Sequence, residues 1–350
     1  MDRSLWDEVG SDVTDIGIGI QWFGTPCRCR CRHCSLESGS RVSTVSFDRV
    51  KALAERFVVW RDEQGLPDFA VDIITGYSCD FPQLPEAKEF NAAHGATSQF
   101  FPANGMRFRS EGELREFFGS LVEMKIETIG VTFYGLRETH DAFCGGKGDF
   151  DYMLLMSRVA ADCGLERVET IFLTHSNTHE IPELVGLLDG IPARKGRSFC
   201  PWDYRGRGKS LEKDRATMND FEGMQADLKR YLNLDRYASE AEWIKRIQAG
   251  RVPQKTRRYY LLTIWEDNVD DLESTDCGVM LQKLREADEL LHQAIPSLST
   301  LARDYGRKTG QKLYKVRDLE WKWIDLYLKA HPEIDAAGRF DDLDTVILWH

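Results

Sequence analysis

The chain has 350 residues, enough to bury a large core without cross-links, and 46 Lys and Arg set against 57 Asp and Glu leave a formal net charge of −11. That balance argues against unspecific attraction to nucleic acid or to an anionic membrane, and no apolar run approaches the roughly 18 residues of a membrane span. The opening stretch MDRSLWDEVGSDVTD is acidic and lacks the basic-then-apolar pattern of a secretory signal, so a soluble cytoplasmic protein is expected.

From about Val13 to Trp202, short β-like runs alternate with amphipathic helical runs. The strand candidates are VTDIGIGIQWF, FAVDIITG, SQFFPANG, ETIGVTFYG, VETIFLTHS and GRSFCPW. Ser46 reads as the N-cap of a first helix, with Asp48 in its first turn and Val50, Leu53, Phe57 and Trp60 on its buried face. Ser110 and Glu113 form a capping-box pattern ahead of Leu114, Phe117, Phe118, Leu121 and Val122. Cys163 precedes Gly164, a helix C-terminal signal, and Thr178 begins a helix burying Ile181, Leu184, Val185 and Leu188. Six β-then-α units predict an α/β fold with a parallel sheet and right-handed crossovers, a pattern that a partial (β/α) barrel and a doubly wound open sheet both satisfy. After about Leu211 the sequence turns helical and charge-rich, interrupted by one β-like run, RYYLLTIW. The expected division is residues 1–211 as the α/β unit and 212–350 as a mostly helical extension serving as a lid or substrate-docking surface.

Nine cysteines are an odd number, and four of them crowd into GTPCRCRCRHCSLESG; in a reducing compartment such clustering points to metal or redox chemistry before disulfides. Cys27, Cys31 and Cys34 have the spacing C-x3-C-x2-C, which lets three thiolates converge from one tight loop. A 4Fe-4S cluster normally takes four cysteines, so three leave one iron with a coordination position for a ligand. The loop follows the first strand candidate, which in a barrel puts it at the C-terminal face, where that fold carries its chemistry.

This pattern resembles the radical S-adenosylmethionine (radical SAM) superfamily, whose signature is the same three-cysteine spacing after the first strand, with an aromatic residue before the last cysteine. His33 stands in that aromatic place. Further likenesses follow in order: FFPANG with Asn104 and Gly105, VTFYG followed by ETHDAFCGGKGDF with His140 and Asp141, FLTHSNTHEIPEL with Asn177, and PWDYRGRGKSL with Arg205 and Arg207. The resemblance implies a partial (β/α)6 barrel with Cys27, Cys31 and Cys34 as ligands of a 4Fe-4S cluster. It also implies S-adenosyl-L-methionine as cofactor, cleaved by one electron so that a 5'-deoxyadenosyl radical takes hydrogen from a substrate C–H. His33, Thr75, Gly76, Tyr77, Asn104, Asn177, Arg205 and Arg207 are the expected cofactor-binding positions. One departure is at the second strand: the family's Gly-Gly-Glu turn reads Thr75-Gly76-Tyr77-Ser78 here, without the carboxylate that would hold the methionine amine. A small-molecule or peptide substrate and an external electron donor such as flavodoxin or ferredoxin are implied, with biosynthesis of specialised metabolites or peptide maturation the favoured role.

Tyr77, Cys79 and Cys200, at strand ends, are candidate hydrogen donors to a substrate radical. Cys29 falls outside the spacing and is expected to point away from its neighbours. Arg28, Arg30 and Arg32 suit either charge compensation of a cluster or solvation. His140 and Asp141 fit acid–base work or docking of their loop, and Asn177 fits a cofactor contact or a helix cap. The Trp and Leu stripe of LEWKWIDLYL reads as a packing face. Beyond Cys34 the widely separated Cys79, Cys144, Cys163, Cys200 and Cys277 are not expected to build a second cluster. The competing reading is a non-catalytic iron-sulfur or zinc-binding protein for sensing or electron transfer.

Overall fold

The computed structural model describes residues 14–34, 41–76, 78–95, 100–252, 257–334 and 346–349. Strand β1 (Thr14–Trp22) carries Ile18 and Ile20, both fully buried, and is followed by helix α1 (Phe47–Glu63). The alternation continues with β2 (Ala70–Thr75), α2 (Leu84–His94), β3 (Phe100–Pro102), α3 (Glu111–Glu123) and β4 (Thr128–Phe133). Two helices, α4 (Arg137–Cys144) and α5 (Asp149–Asp162), separate β4 from β5 (Glu166–Leu173), and α6 (Ile181–Asp189) precedes β6 (Arg194–Pro201). The local signals act as the residues suggest. Ser110 and Glu113 form both bonds of the capping box at α3, and Gly164 takes a φ of +86° just past α5. Ile181, Leu184, Val185 and Leu188 are the buried face of α6, whereas Val122 of α3 is 43% exposed, at the edge of its apolar stripe.

Strands β1 and β2 pair in parallel, and β3, β4, β5 and β6 form a second parallel run in sequence order. A doubly wound sheet reverses its strand order at a switch point; this succession shows no reversal, so the winding is that of the barrel type.

The chain after β6 passes through a 3-10 turn, Gly206–Asp214, and then α7 (Met218–Glu222), β7 (Ala238–Ser239) and α8 (Glu240–Gln248). The run RYYLLTIW becomes β8 (Arg257–Ile264), which lies parallel to β1 on the side opposite β2. The remaining elements are α9 (Val269–Ser274), α10 (Cys277–Ala294), α11 (Leu298–Tyr305), β9 (Leu313–Tyr314), α12 (Val316–Ala330) and β10 (Val346–Trp349), the last antiparallel to β8. The region beyond residue 211 is therefore mostly helical, yet it extends the first sheet by two strands. Gly19 of β1 permits this: a Cβ there would strike Ile74 and crowd the Tyr259 hydroxyl, which crosses β1 to donate to Asp72 Oδ2 on β2 at 2.6 Å. A second core gathers α8, α11 and α12 around Trp243, Leu301, Leu319 and Trp323, so the LEWKWIDLYL stripe is a packing face. No helix among the described residues is long and apolar enough to cross a membrane.

Candidate active site

The cysteine loop leaves the C-terminal end of β1 and is tied into the mouth of the strand array by its own backbone. Arg28 N–H donates to Gly105 O at 3.0 Å, Arg30 N–H to Cys144 O at 2.7 Å and Arg32 N–H to Phe143 O at 2.9 Å. Every second residue is thus a docking point. The arginine side chains divide: Arg30 and Arg32 are exposed, while Arg28 donates through Nε to Met106 O at 2.6 Å, pairs with Asp149 and lies 4.1 Å from the centre of the Phe108 ring.

Gly105, at a φ of +81°, allows the loop after β3 to come this close. A side chain there would require the left-handed region and its Cβ would collide with Cys27 Sγ. Opposite it, Asp141 accepts from the backbone N–H of Gly148 at 2.6 Å and of Phe150 at 2.9 Å, so its carboxylate docks the loop between α4 and α5. His140 is fully buried; its Nδ1 accepts from Tyr134 N–H at 3.3 Å and its Nε2 reaches Asp149 Oδ2 at 2.9 Å. Both residues hold the loop in place.

Behind the loop, Cys29, Tyr134, Phe143, Cys144, Trp202 and Leu211 form a small buried cluster, against which Cys27, Cys31 and Phe172 pack. The position of Cys29 corrects the sequence expectation. Its thiol does not turn away but lies against those of Cys27, Cys31 and Cys144, and the Cys29, Cys31 and Cys144 sulfurs are within 4.8 Å of one another. The backbone bonds at Arg28, Arg30 and Arg32 keep a two-residue alternation, and residues two apart share a face, so Cys27, Cys29 and Cys31 present their thiols together. Cys29 and Cys144 are 3% and 1% exposed, whereas Cys27, Cys31 and Cys34 are partly open. Cys144 lowers the Cys31 thiol, but Cys29 and burial outweigh it and push that thiol up to about 12, so a metal held by Cys31 would have to displace its proton.

His33 packs among Tyr134, Phe143 and Phe172, with ring centres 4.6 to 5.5 Å away. Burial pushes its imidazole down to about 4, with Asp203 opposing, and its Nδ1 is buried without a partner among the described residues. On the far side, Arg207 N–H donates to Cys34 O at 3.1 Å, which brings the turn after β6 onto the end of the cysteine loop. The Arg207 side chain is exposed, and Arg205, lowered to about 10 by burial and by Arg317, lies 5.8 Å from the centre of the Trp321 ring. Thus α12 contributes to this rim, together with Lys315, which donates to Asp203 at 2.5 Å.

Other expected residues have work elsewhere. Asn177 is fully buried: Oδ1 accepts Thr174 N–H, and Nδ2 donates to Tyr134 O and Phe172 O, each at 2.8 Å. With these bonds made, its side chain ties the ends of β4 and β5 together and has no donor left for a cofactor. Asn104 Nδ2 donates to Thr132 O at 3.3 Å, along β4. At the end of β2, Thr75 Oγ1 is 3.1 Å from Cys79 Sγ, and Gly76 N–H donates to Trp22 O at 2.7 Å. Cys200 sits on β6 with its sulfur 3.8 Å from Ser198 Oγ and beside Tyr237. Tyr77 lies outside the described residues. Cys163 is at a helix end, 3.9 Å from Arg115 O, and Cys277 is at the start of α10. Three participants are not evident from spacing: Cys144, Tyr134 as a partner of the cysteine loop, and the Arg28–Asp149 pair. The regular arginines between the cysteines were the available signal, because alternating side chains announce a docked backbone.

No family model and no curated protein matches the chain. Among solved structures, SuiB of Streptococcus suis bound to S-adenosylmethionine is similar at TM-score 0.40 and 13% identity, over 73% of this chain and 51% of that one. The anSMEcpe enzyme with bound AdoMet is similar at 0.44 and 14%, over 67% and 62%. TYW1 with a lysine-pyruvate adduct bound is similar at 0.38 and 15%, over 62% and 72%. The chain spans about half the length of SuiB.

Proposed function

We propose that the protein is a radical SAM enzyme in which Cys27, Cys31 and Cys34 hold a 4Fe-4S cluster and S-adenosylmethionine binds beside it. The observation that carries this reading is the sorting of the thiols by exposure. A cluster is far bulkier than a single ion; the three thiols with the C-x3-C-x2-C spacing are the partly open ones, while Cys29 and Cys144 are closed off behind them. The buried His33 Nδ1, without a partner among the described residues, also suits a site that holds a further group. The bound pair supplies reductive cleavage of S-adenosylmethionine and hydrogen abstraction from a substrate C–H.

The protein's own contributions follow from its residues. His33 and the aromatic cluster behind it form an apolar wall that suits the adenosine portion, and the cationic rim of Arg205 and Arg207 suits its carboxylate. The backbone carbonyls of Thr75 and Gly76 would accept from the methionine amine. Substrate would enter over the rim built with α12, as a small molecule or peptide, with electrons from a cytoplasmic flavodoxin-like or ferredoxin-like donor. Cys79 and Cys200 remain candidate hydrogen donors on this reading.

A second reading has one observation in its favour. Cys29, Cys31 and Cys144 are close enough together for a single tetrahedral ion such as zinc. The test separates them: the anaerobically reconstituted, dithionite-reduced chain should form 5'-deoxyadenosine from S-adenosylmethionine. A chain that carries one zinc and forms none overturns the enzyme reading.

A further inference from the structure

Tyr134 is held more tightly than a space-filling aromatic residue requires. It follows β4 directly and is 3% exposed. Its ring stacks on Phe143 at 4.6 Å and 17° and on Phe172 at 5.4 Å and 22°. Its backbone N–H goes to His140 and its carbonyl accepts from Asn177, so the residue is fixed at both ends of its peptide unit. The fixed ring aims its hydroxyl at Cys31 Sγ, 3.8 Å away, at the long end for a bond to the large sulfur atom. A phenylalanine would fill the same volume; the hydroxyl is what the site gains from tyrosine. Cys29 and Cys144 close the space behind Cys31 and Tyr134 itself is buried, so water competes little for the hydroxyl although Cys31 is partly open.

We propose that Tyr134, by donating its hydroxyl proton in a hydrogen bond to the Cys31 sulfur, raises the reduction potential of the metal group held by Cys31. The inference rests on the 4Fe-4S reading given above. A ligand thiolate carries more negative charge when the cluster is reduced, so a donor fixed on that sulfur stabilises the reduced state more than the oxidised one. Tyr134 acts through Cys31 and is a tuning residue, not a participant in hydrogen abstraction.

The test is a potentiometric titration of the anaerobically reconstituted full chain, followed by electron paramagnetic resonance of the reduced cluster. Tyr134→Phe should keep about four irons and four sulfides per chain, while its midpoint moves negative by about 59 mV, a tenfold change in the reduced-to-oxidised ratio for a one-electron couple. Replacing Tyr134 with 3-fluorotyrosine, whose hydroxyl is the stronger donor, should move the midpoint positive with the packing retained. This variant carries the test if the phenylalanine form fails to fold. A loaded cluster that cleaves S-adenosylmethionine with the same midpoint in all forms measured overturns this inference alone. A wild-type chain that assembles no 4Fe-4S cluster overturns both this inference and the function on which it rests.

Discussion

Replacing Asn177 with Ala distinguishes a scaffold residue from a cofactor contact. Its side chain makes three bonds of 2.8 Å in a fully buried position, to Thr174 N–H, Tyr134 O and Phe172 O. An intramolecular hydrogen bond contributes about 0.5–1.5 kcal/mol net, and a buried group left without its partner costs about 1–3 kcal/mol. Thr174 N–H faces the deleted oxygen directly, while each carbonyl loses one of its acceptor contacts. The summed loss is then about 2–6 kcal/mol, a large share of the roughly 5–15 kcal/mol that holds a typical folded chain together. The assay is urea unfolding of the cluster-free protein followed by circular dichroism, wild type against Asn177→Ala. No metal or S-adenosylmethionine is present, so a contact made only to the cofactor would not register. A shift below about 1 kcal/mol in the cluster-free protein, under the low end of that range, would refute the scaffold role, and loss of S-adenosylmethionine binding by the reconstituted variant would restore the cofactor contact.

Three further outcomes are expected. Cys27→Ala, Cys31→Ala and Cys34→Ala should each abolish 5'-deoxyadenosine formation, whereas Cys29→Ala should retain about four irons per chain by metal analysis; loss of iron in the Cys29 variant alone would reassign the ligands. Glu169→Gln should destabilise the chain by about 3–5 kcal/mol in denaturant unfolding, because Arg167, bonded to it at 2.7 Å and nearly unexposed, would be left as a buried charge without a carboxylate among the described residues, while Arg197, bonded to it at 2.5 Å, would keep only Asp189 at 3.0 Å. Asp80 is opposed by burial, but its bonds to Arg109 at 2.5 and 2.8 Å and to Arg107 N–H hold its carboxyl below the usual 3.8. Since the unfolded chain binds that proton more readily, the contribution is complete above about pH 4 and fades as pH falls through the depressed folded value. Thermal unfolding below pH 4 should therefore lose stability more steeply in wild type than in Asp80→Asn, and parallel curves would refute the pairing.

Local physics made much of this protein legible in its sequence. The capping box at Ser110 and Glu113, the C-terminal signal at Gly164 and the helical spacing of Ile181, Leu184, Val185 and Leu188 act within a few residues of themselves, and each appears in the structure as read. The C-x3-C-x2-C spacing belongs to the same class, since three donors on one short loop need no distant partner to be recognised. Contacts between elements far apart in the chain belong to another class. RYYLLTIW looked like an interruption in a helical extension because nothing local says that it will lie against β1; Gly19 and Asp72, more than 180 residues earlier, make room for Tyr259 and receive its hydroxyl. Asn177 had two equally good local uses, and only the approach of the β4 and β5 ends gave its amide the carbonyls of Tyr134 and Phe172. Cys29 shows the division within a single loop. Its place in the sequence settled that it breaks the ligand spacing, but the direction of its thiol depended on Arg28, Arg30 and Arg32 docking the loop backbone against Gly105, Cys144 and Phe143, and on Cys144 arriving from α4 to close the pocket behind it.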